Sequence, residues 1–244
     1  AEELKAHITP KTRMMMFSTP CNPTGSVYSK QELRAIADVV KQYDELYIMS
    51  DEIYEHINFV GGHESMAQFP DIKDRVITIN GVSKGFAMTG WRGGIMAAPK
   101  WIAQACDKMQ GQFTSGTCSI TQKAMHAAME LPAESTHYMR DAFLNRRNLV
   151  LELMKEIPGF KTNVPDGAFY VYPEVSALFG KSYNGFTINN ATDLSMFLLD
   201  VAHVALVPGA AFGDDKYIRF SYATSEDKLT EALKRMKEAI EKLK

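Results

Sequence analysis

Four short runs of nearly uninterrupted apolar residues recur in the first hundred positions, at 14–18, 46–49, 76–80 and 93–98. Runs of this length without polar alternation are the mark of strands buried on both faces. Between the first two lies Ser29-Lys30-Gln31-Glu32, a capping-box pattern in which serine oxygen and glutamate carboxylate satisfy orphan N–H groups at a helix start. Leu33, Ile36, Ala37 and Val40 follow at helical spacing and form one apolar stripe. Strands joined through helices in this order imply an α/β fold, a parallel-type sheet flanked by helices. In such sheets ligands gather outside the carboxyl ends of the strands. Three of the four runs stop there at polar clusters: Asn22-Pro23-Thr24-Gly25, Ser50-Asp51 and Ser83-Lys84.

Further along, 101–109, 119–130 and a long segment from 135 towards 156 read as helices, and Pro158-Gly159 breaks the pattern. After the break the sequence predicts strand 168–172, a polar loop at 181–190, helix 192–201, strands 204–208 and 217–222, and a final helix. That helix carries Leu229, Leu233, Met236, Ile240 and Leu243 behind Thr224 or Ser225 as cap. The chain is therefore expected to divide into 1–140, part of a large α/β domain, and 141–244, a smaller α+β domain. Met14-Met15-Met16 is expected to pack in a core.

The 244 residues hold 27 Lys and Arg against 29 Asp and Glu, a formal charge of −2, so no field favours nucleic acid or an anionic membrane. Three cysteines are too few, and odd in number, for a disulfide framework, and no apolar run reaches membrane-span length. A cytoplasmic protein without nucleic-acid or membrane partners is expected. The six histidines lack ligand spacing and there is no Cys-x-x-Cys, so no metal site is expected. Walker and G-x-G-x-x-G strings are absent as well.

Single residues leave alternatives open. Lys84, among Gly81, Ser83 and Gly85, fits a solvated loop lysine or a desolvated amine able to react with a carbonyl. Asp51 fits a strand-ending acid that caps a turn, or a carboxylate that keeps a heterocyclic nitrogen protonated. Asn22-Pro23-Thr24-Gly25 is turn chemistry on either reading, with an amide able to donate to an anionic oxygen. Arg92, flanked by Gly90, Gly93 and Gly94, suits a phosphate or a stack on Trp91. Arg219, on an alternating strand with Tyr217 and Ser221, marks a wet face or a clamp for a carboxylate.

In order along the chain, these strings resemble the fold-type-I pyridoxal-phosphate-dependent aminotransferases of the aspartate aminotransferase class. The matching strings are Asn22-Pro23-Thr24-Gly25, Ser50-Asp51-Glu52-Ile53-Tyr54 and Ser83-Lys84-x-Phe86-x-Met88-Thr89-Gly90-Trp91-Arg92. Towards the end come Pro208-Gly209-x-x-Phe212-Gly213 and Arg219-Phe220-Ser221-Tyr222-Ala223. The resemblance implies pyridoxal 5′-phosphate as cofactor, held covalently by Lys84, which would also shuttle the substrate α-proton. It implies that Asp51 pairs with the ring nitrogen and that Asn22 and Tyr54 hydrogen-bond the ring oxygen. Ser83 and Arg92 would hold the phosphate, and Arg219, with Asn22, the substrate carboxylate. Lys84, Asp51 and Tyr54 are the implied catalytic set.

The implied reaction is amino transfer between an α-amino acid and a 2-oxo acid, aspartate with 2-oxoglutarate, in a homodimer. A carbon–sulfur or carbon–carbon lyase of the same fold would share Lys84 and Asp51, and a pyridoxal-phosphate-binding sensor domain would share the fold. Two departures stand out. Gly81 occupies a place where the family often has a phosphate-binding serine. The family also carries a long section before the Asn-Pro-Thr-Gly strand, including a glycine-rich phosphate turn, a ring stacked on the cofactor and further sheet strands. By resemblance, then, these 244 residues are the C-terminal part of a longer enzyme and inactive alone, with unpaired sheet edges.

Overall fold

The computed structural model describes the backbone of residues 1–244 and every side chain but that of Ala133. Two compact units divide the chain, Ala1–Cys21 with Val27–Met139 and Asn22–Ser26 with Arg140–Lys244.

The first unit runs α1 (Glu2–His7), β1 (Met14–Ser18), α2 (Lys30–Val40), β2 (Tyr47–Asp51), β3 (Val76–Gly81), β4 (Gly94–Ala97), α3 (Lys100–Phe113) and α4 (Ser119–Met129). Its four strands form one sheet in the order β1-β2-β3-β4. β1, β2 and β3 are parallel, whereas β4 is antiparallel to β3, so the expected parallel sheet is mixed. The reason lies in the connection. A parallel return needs a crossover of a dozen or more residues, usually helical, and the segment between β3 and β4 holds only a short helical turn, Thr89–Trp91. Register sets Ser18, Asp51 and Ile79 side by side, so β1 and β2 end level and β3 runs on past them to Gly81.

Helix α2 starts with both bonds of the capping box: Ser29 N donates to Glu32 Oε2 at 2.8 Å, and Glu32 N donates to Ser29 Oγ at 3.3 Å. Its stripe of Leu33, Ile36, Ala37 and Val40 packs on Ile48 and Val76 from the sheet and on Leu46 just before β2. Each large aliphatic side chain fully removed from water there contributes about 1.5–3 kcal/mol. Met15 and Phe17 join that core, but Met14 is 41% and Met16 69% exposed, which corrects the core role expected of all three methionines. Consecutive strand residues point to opposite faces, so a run of identical residues on an outer strand necessarily puts some of them outside.

In the second unit the elements are α5 (His137–Met154, which begins three residues earlier), β5 (Tyr170–Val171), β6 (Ser182–Tyr183), β7 (Phe186–Thr187), α6 (Ala191–Ala202), β8 (Val207–Pro208), β9 (Ile218–Ser221) and α7 (Glu226–Ile240). An antiparallel sheet of order β5-β9-β8 packs into a core with α6 and α7 that includes Val171, Leu194, Leu198, Phe220, Leu233 and Met236. The segment predicted as a polar loop at 181–190 contains the β6–β7 hairpin. Asn184 and Gly185 both have positive φ at its tip, the geometry that Asn-Gly supplies in two-residue hairpin turns. Ser225 stands at the N-cap position of α7 but makes no side-chain capping bond.

Asn22–Ser26 belongs to this second unit through backbone bonds. The Gly25 carbonyl accepts from Asp166 N and Gly167 N, each at 2.9 Å, and Asn163 Nδ2 donates to Thr24 O at 2.7 Å. Only glycine fits at position 25: φ is +70°, and a Cβ would lie 2.3 Å from that of Pro165.

Candidate active site

Asp51 is the last residue of β2, and its Oδ1 accepts from Ile53 N at 3.1 Å, which fixes the carboxyl at the strand end. Burial raises its pKa above the ordinary carboxylate value, against the Ile53 bond; Glu52 adds to the rise, and the charge of Lys84 opposes it. Glu52 points away into a dry polar nest. Its Oε1 accepts from Ser50 Oγ and Ser65 Oγ, both at 2.9 Å, and its Oε2 lies 2.9 Å from His63 Nε2. Glu52 is visible in the sequence only as part of a motif, because Ser65 and His63 come from a loop whose path no local pattern reveals.

Lys84 sits in the loop between β3 and β4, and that loop is held by its own bonds. Met88 N donates to Val82 O at 3.3 Å, Ala87 N to Lys84 O at 3.1 Å, and Thr89 Oγ1 to Ser83 O at 2.7 Å. Gly85 is needed for close approach, since a Cβ there would lie 2.5 Å from His56 Cδ2. The Lys84 Nζ lies 6.0 Å from the centroid of the Tyr54 ring, and Tyr54 is buried just after Asp51. Arg92, in the left-handed region at φ 54°, donates from Nη1 to Thr89 O at 3.0 Å. Asp51, Asn80, Ser83, Arg92, Gly93 and Gly94 line a cleft of about 280 Å³. Within the first unit the structure therefore collects Asp51, Tyr54, Ser83, Lys84 and Arg92 around the carboxyl ends of β2 and β3.

Does this donor set suit a phosphorylated pyridine aldehyde? A half-buried carboxylate, an amine near enough to feel its charge, and a hydroxyl and guanidinium sharing a glycine-walled cleft match the group's nitrogen, aldehyde and phosphate in turn. The residues present fit. Gly81 cannot supply the serine that often stands in its place, because a Cβ there would lie 2.9 Å from Gly94 Cα and 3.0 Å from Gly93 O. Gly81→Ser is accordingly expected to cost about 1–3 kcal/mol of stability by overpacking, measured by urea unfolding. Unchanged unfolding would show that the β3–β4 backbone yields freely.

In the second unit Arg219 Nη1 donates to Asn22 Oδ1 at 2.8 Å. Its guanidinium carbon lies 4.6 Å from the Tyr170 ring centroid and 5.1 Å from that of Phe212, and its buried Nε has no hydrogen-bond partner. A cation so placed is preorganised for an anion. Arg219 and Asn22 stand out in the sequence, whereas the two rings, which come from separate elements, do not.

Residues 1–236 match the sequence profile of aminotransferase class I and II. The chain belongs to that family. Over 246 residues it is 46% identical to a bifunctional aspartate aminotransferase and glutamate/aspartate-prephenate aminotransferase from Petunia hybrida, covering 99% of this chain and 51% of that relative. The solved aspartate aminotransferase from Rhizobium meliloti superposes with a TM-score of 0.94 at 39% identity, covering 100% of this chain and 62% of that one. An aromatic aminotransferase from Pyrococcus horikoshii OT3 superposes with a TM-score of 0.89 at 39% identity, covering 98% and 63%. This class I and II chain thus spans about half the length of the first of its curated relatives and three fifths of others. Among the described residues, no helix is long and apolar enough to cross a membrane, and no cluster of His, Cys, Asp and Glu could hold a metal ion.

Proposed function

We propose that this chain forms part of a pyridoxal-phosphate-dependent aminotransferase that moves an amino group between an α-amino acid and a 2-oxo acid, with aspartate and 2-oxoglutarate as the pair. The observation that carries the reading is the placement of Asp51 and Lys84 beyond the ends of adjacent parallel strands, near enough that the ammonium lowers the proton affinity that burial raises in the carboxyl. Bound pyridoxal phosphate supplies a ring that withdraws electrons from the substrate α-carbon. Asp51 would hold a proton at the ring nitrogen, Tyr54 and Asn22 would hydrogen-bond the ring oxygen, and Ser83 and Arg92 would bind the phosphate. Lys84 Nζ would take the proton from the substrate α-carbon and deliver it to the carbon that bore the cofactor's aldehyde, a role suited to an amine in partly desolvated surroundings. Arg219 and Asn22 receive the α-carboxylate.

The dicarboxylate preference is supported by relatives described as aspartate aminotransferases. A homodimer, a cytoplasmic setting and a division into 1–140 and 141–244 belong to the same reading. The test is a half-reaction panel, scoring which amino acids convert bound cofactor to its amine form. Aspartate is expected to react, and Arg219→Ala to lower its kcat/KM about 100-fold or more while cofactor stays bound, as loss of a charge-assisted bidentate contact should. Pyruvate and ammonia release from cystathionine, with no 2-oxo acid required, would instead select a lyase.

A further inference from the structure

An arginine can be fixed in place by a carboxylate, but the partner then neutralises it and an incoming anion must displace it. Arg219 is held otherwise. Among the described residues no Asp or Glu pairs with it; its one hydrogen bond goes to the neutral Asn22 Oδ1, and its Nε is buried without a partner. What remains close is aromatic, with the guanidinium carbon 4.6 Å from the centroid of Tyr170 and 5.1 Å from that of Phe212. Attraction to a ring face fixes a cation without consuming N–H donors or cancelling its charge.

The rings themselves are braced. Tyr170 is buried on β5, paired across to Ser221 of β9, with its ring 4.8 Å from that of Phe169. Phe212 ends a short helical turn, Gly209–Phe212, and meets Tyr172 edge-on at 5.9 Å, while Tyr172 stacks on Tyr217 at 4.9 Å. No side chain fits at Gly209, where a Cβ would lie 2.1 Å from Asp214 O, so the turn that delivers Phe212 is sterically determined.

We propose that Tyr170 and Phe212 are positioning residues that hold the Arg219 guanidinium by its attraction to their ring faces and leave its charge available to the α-carboxylate of an amino-acid substrate. The proposal rests on the reading of Arg219 as a carboxylate clamp. It is tested in the protein loaded with pyridoxal phosphate, with maleate as a dicarboxylate probe followed by calorimetry, aspartate kinetics, and the half-reaction with butylamine, which has no carboxylate. Phe212→Leu and Tyr170→Leu are expected to raise the maleate Kd and the aspartate KM about tenfold with kcat changed less than about twofold. Phe212→Tyr and Tyr170→Phe, which keep a ring, should restore parental values, and the butylamine half-reaction should not move in any of them.

Parental maleate affinity in both leucine variants, or an equal loss with butylamine, would overturn the proposal. Arg219→Ala separates the two ideas. If maleate binds that variant normally, the clamp reading itself fails; if binding is lost there but kept in the leucine variants, only the positioning role fails. Should Tyr170→Leu not fold, Phe212→Leu, at a half-buried turn, decides alone.

Discussion

If Lys84 serves as proposed, Lys84→Ala lowers amino-acid turnover by at least about 10⁴-fold, since the covalent anchor and the base that handles the α-proton go together. The fold should survive. The loop that presents Lys84 is held by Met88 N to Val82 O, Ala87 N to Lys84 O and Thr89 Oγ1 to Ser83 O, bonds that involve backbone and the Thr89 hydroxyl and that an alanine preserves. Circular dichroism and melting temperature close to those of the parent would establish this. Borohydride reduction followed by peptide mapping should place a cofactor adduct on the Lys84 peptide of the parent and none there in the variant. An adduct on the same peptide of Lys84→Ala would remove this lysine from the chemistry.

Asp51→Asn should move activity and stability in opposite directions. Turnover is expected to fall about 10³-fold, because the variant cannot hold charge opposite the ring nitrogen when negative charge develops on the substrate. Stability of the cofactor-free protein at neutral pH should rise. Burial raises the Asp51 carboxyl above its ordinary value, so the folded state holds that proton more tightly than the unfolded chain. The group therefore favours folding below its unfolded pKa, and that contribution is lost as pH climbs through the folded pKa. At neutral pH an ionised, half-buried carboxylate remains, and the amide removes it at nearly constant shape. Thermal melts from acid to neutral pH should show the variant gaining on the parent as pH rises. A variant that melts lower than the parent at neutral pH would mean that Asp51 stabilises the empty fold.

Much of this was legible in the residues because local rules and the final packing agree. The 14–18, 76–80 and 217–222 runs became strands, and the Ser29–Glu32 capping box formed with both of its bonds. Strand direction was not legible: an apolar run reads the same either way, so β4 was placed but its antiparallel direction was not foreseen. The β6–β7 hairpin was signalled by Asn184-Gly185, yet its flanks, Ser182-Tyr183 and Phe186-Thr187, are too short to show a period. Strings such as Ser83-Lys84 and Arg219-Phe220 carry the family resemblance where they stand in the chain. What no string shows is the support behind them, such as the serines and histidine around Glu52 or the rings beside Arg219, since these meet only after folding.

The sorting of Asn22–Ser26 with Arg140–Lys244 bears on how this protein can be taken apart. A recombinant piece starting at 140 would lack the carbonyl of Gly25 that receives Asp166 N and Gly167 N, and Arg219 would lose the Asn22 oxygen. One scissor cut therefore cannot excise an intact C-terminal module. A faithful version needs the 22–26 strap stitched on ahead of 140 through a flexible tether, and the benefit of that tether is directly measurable as resistance to protease.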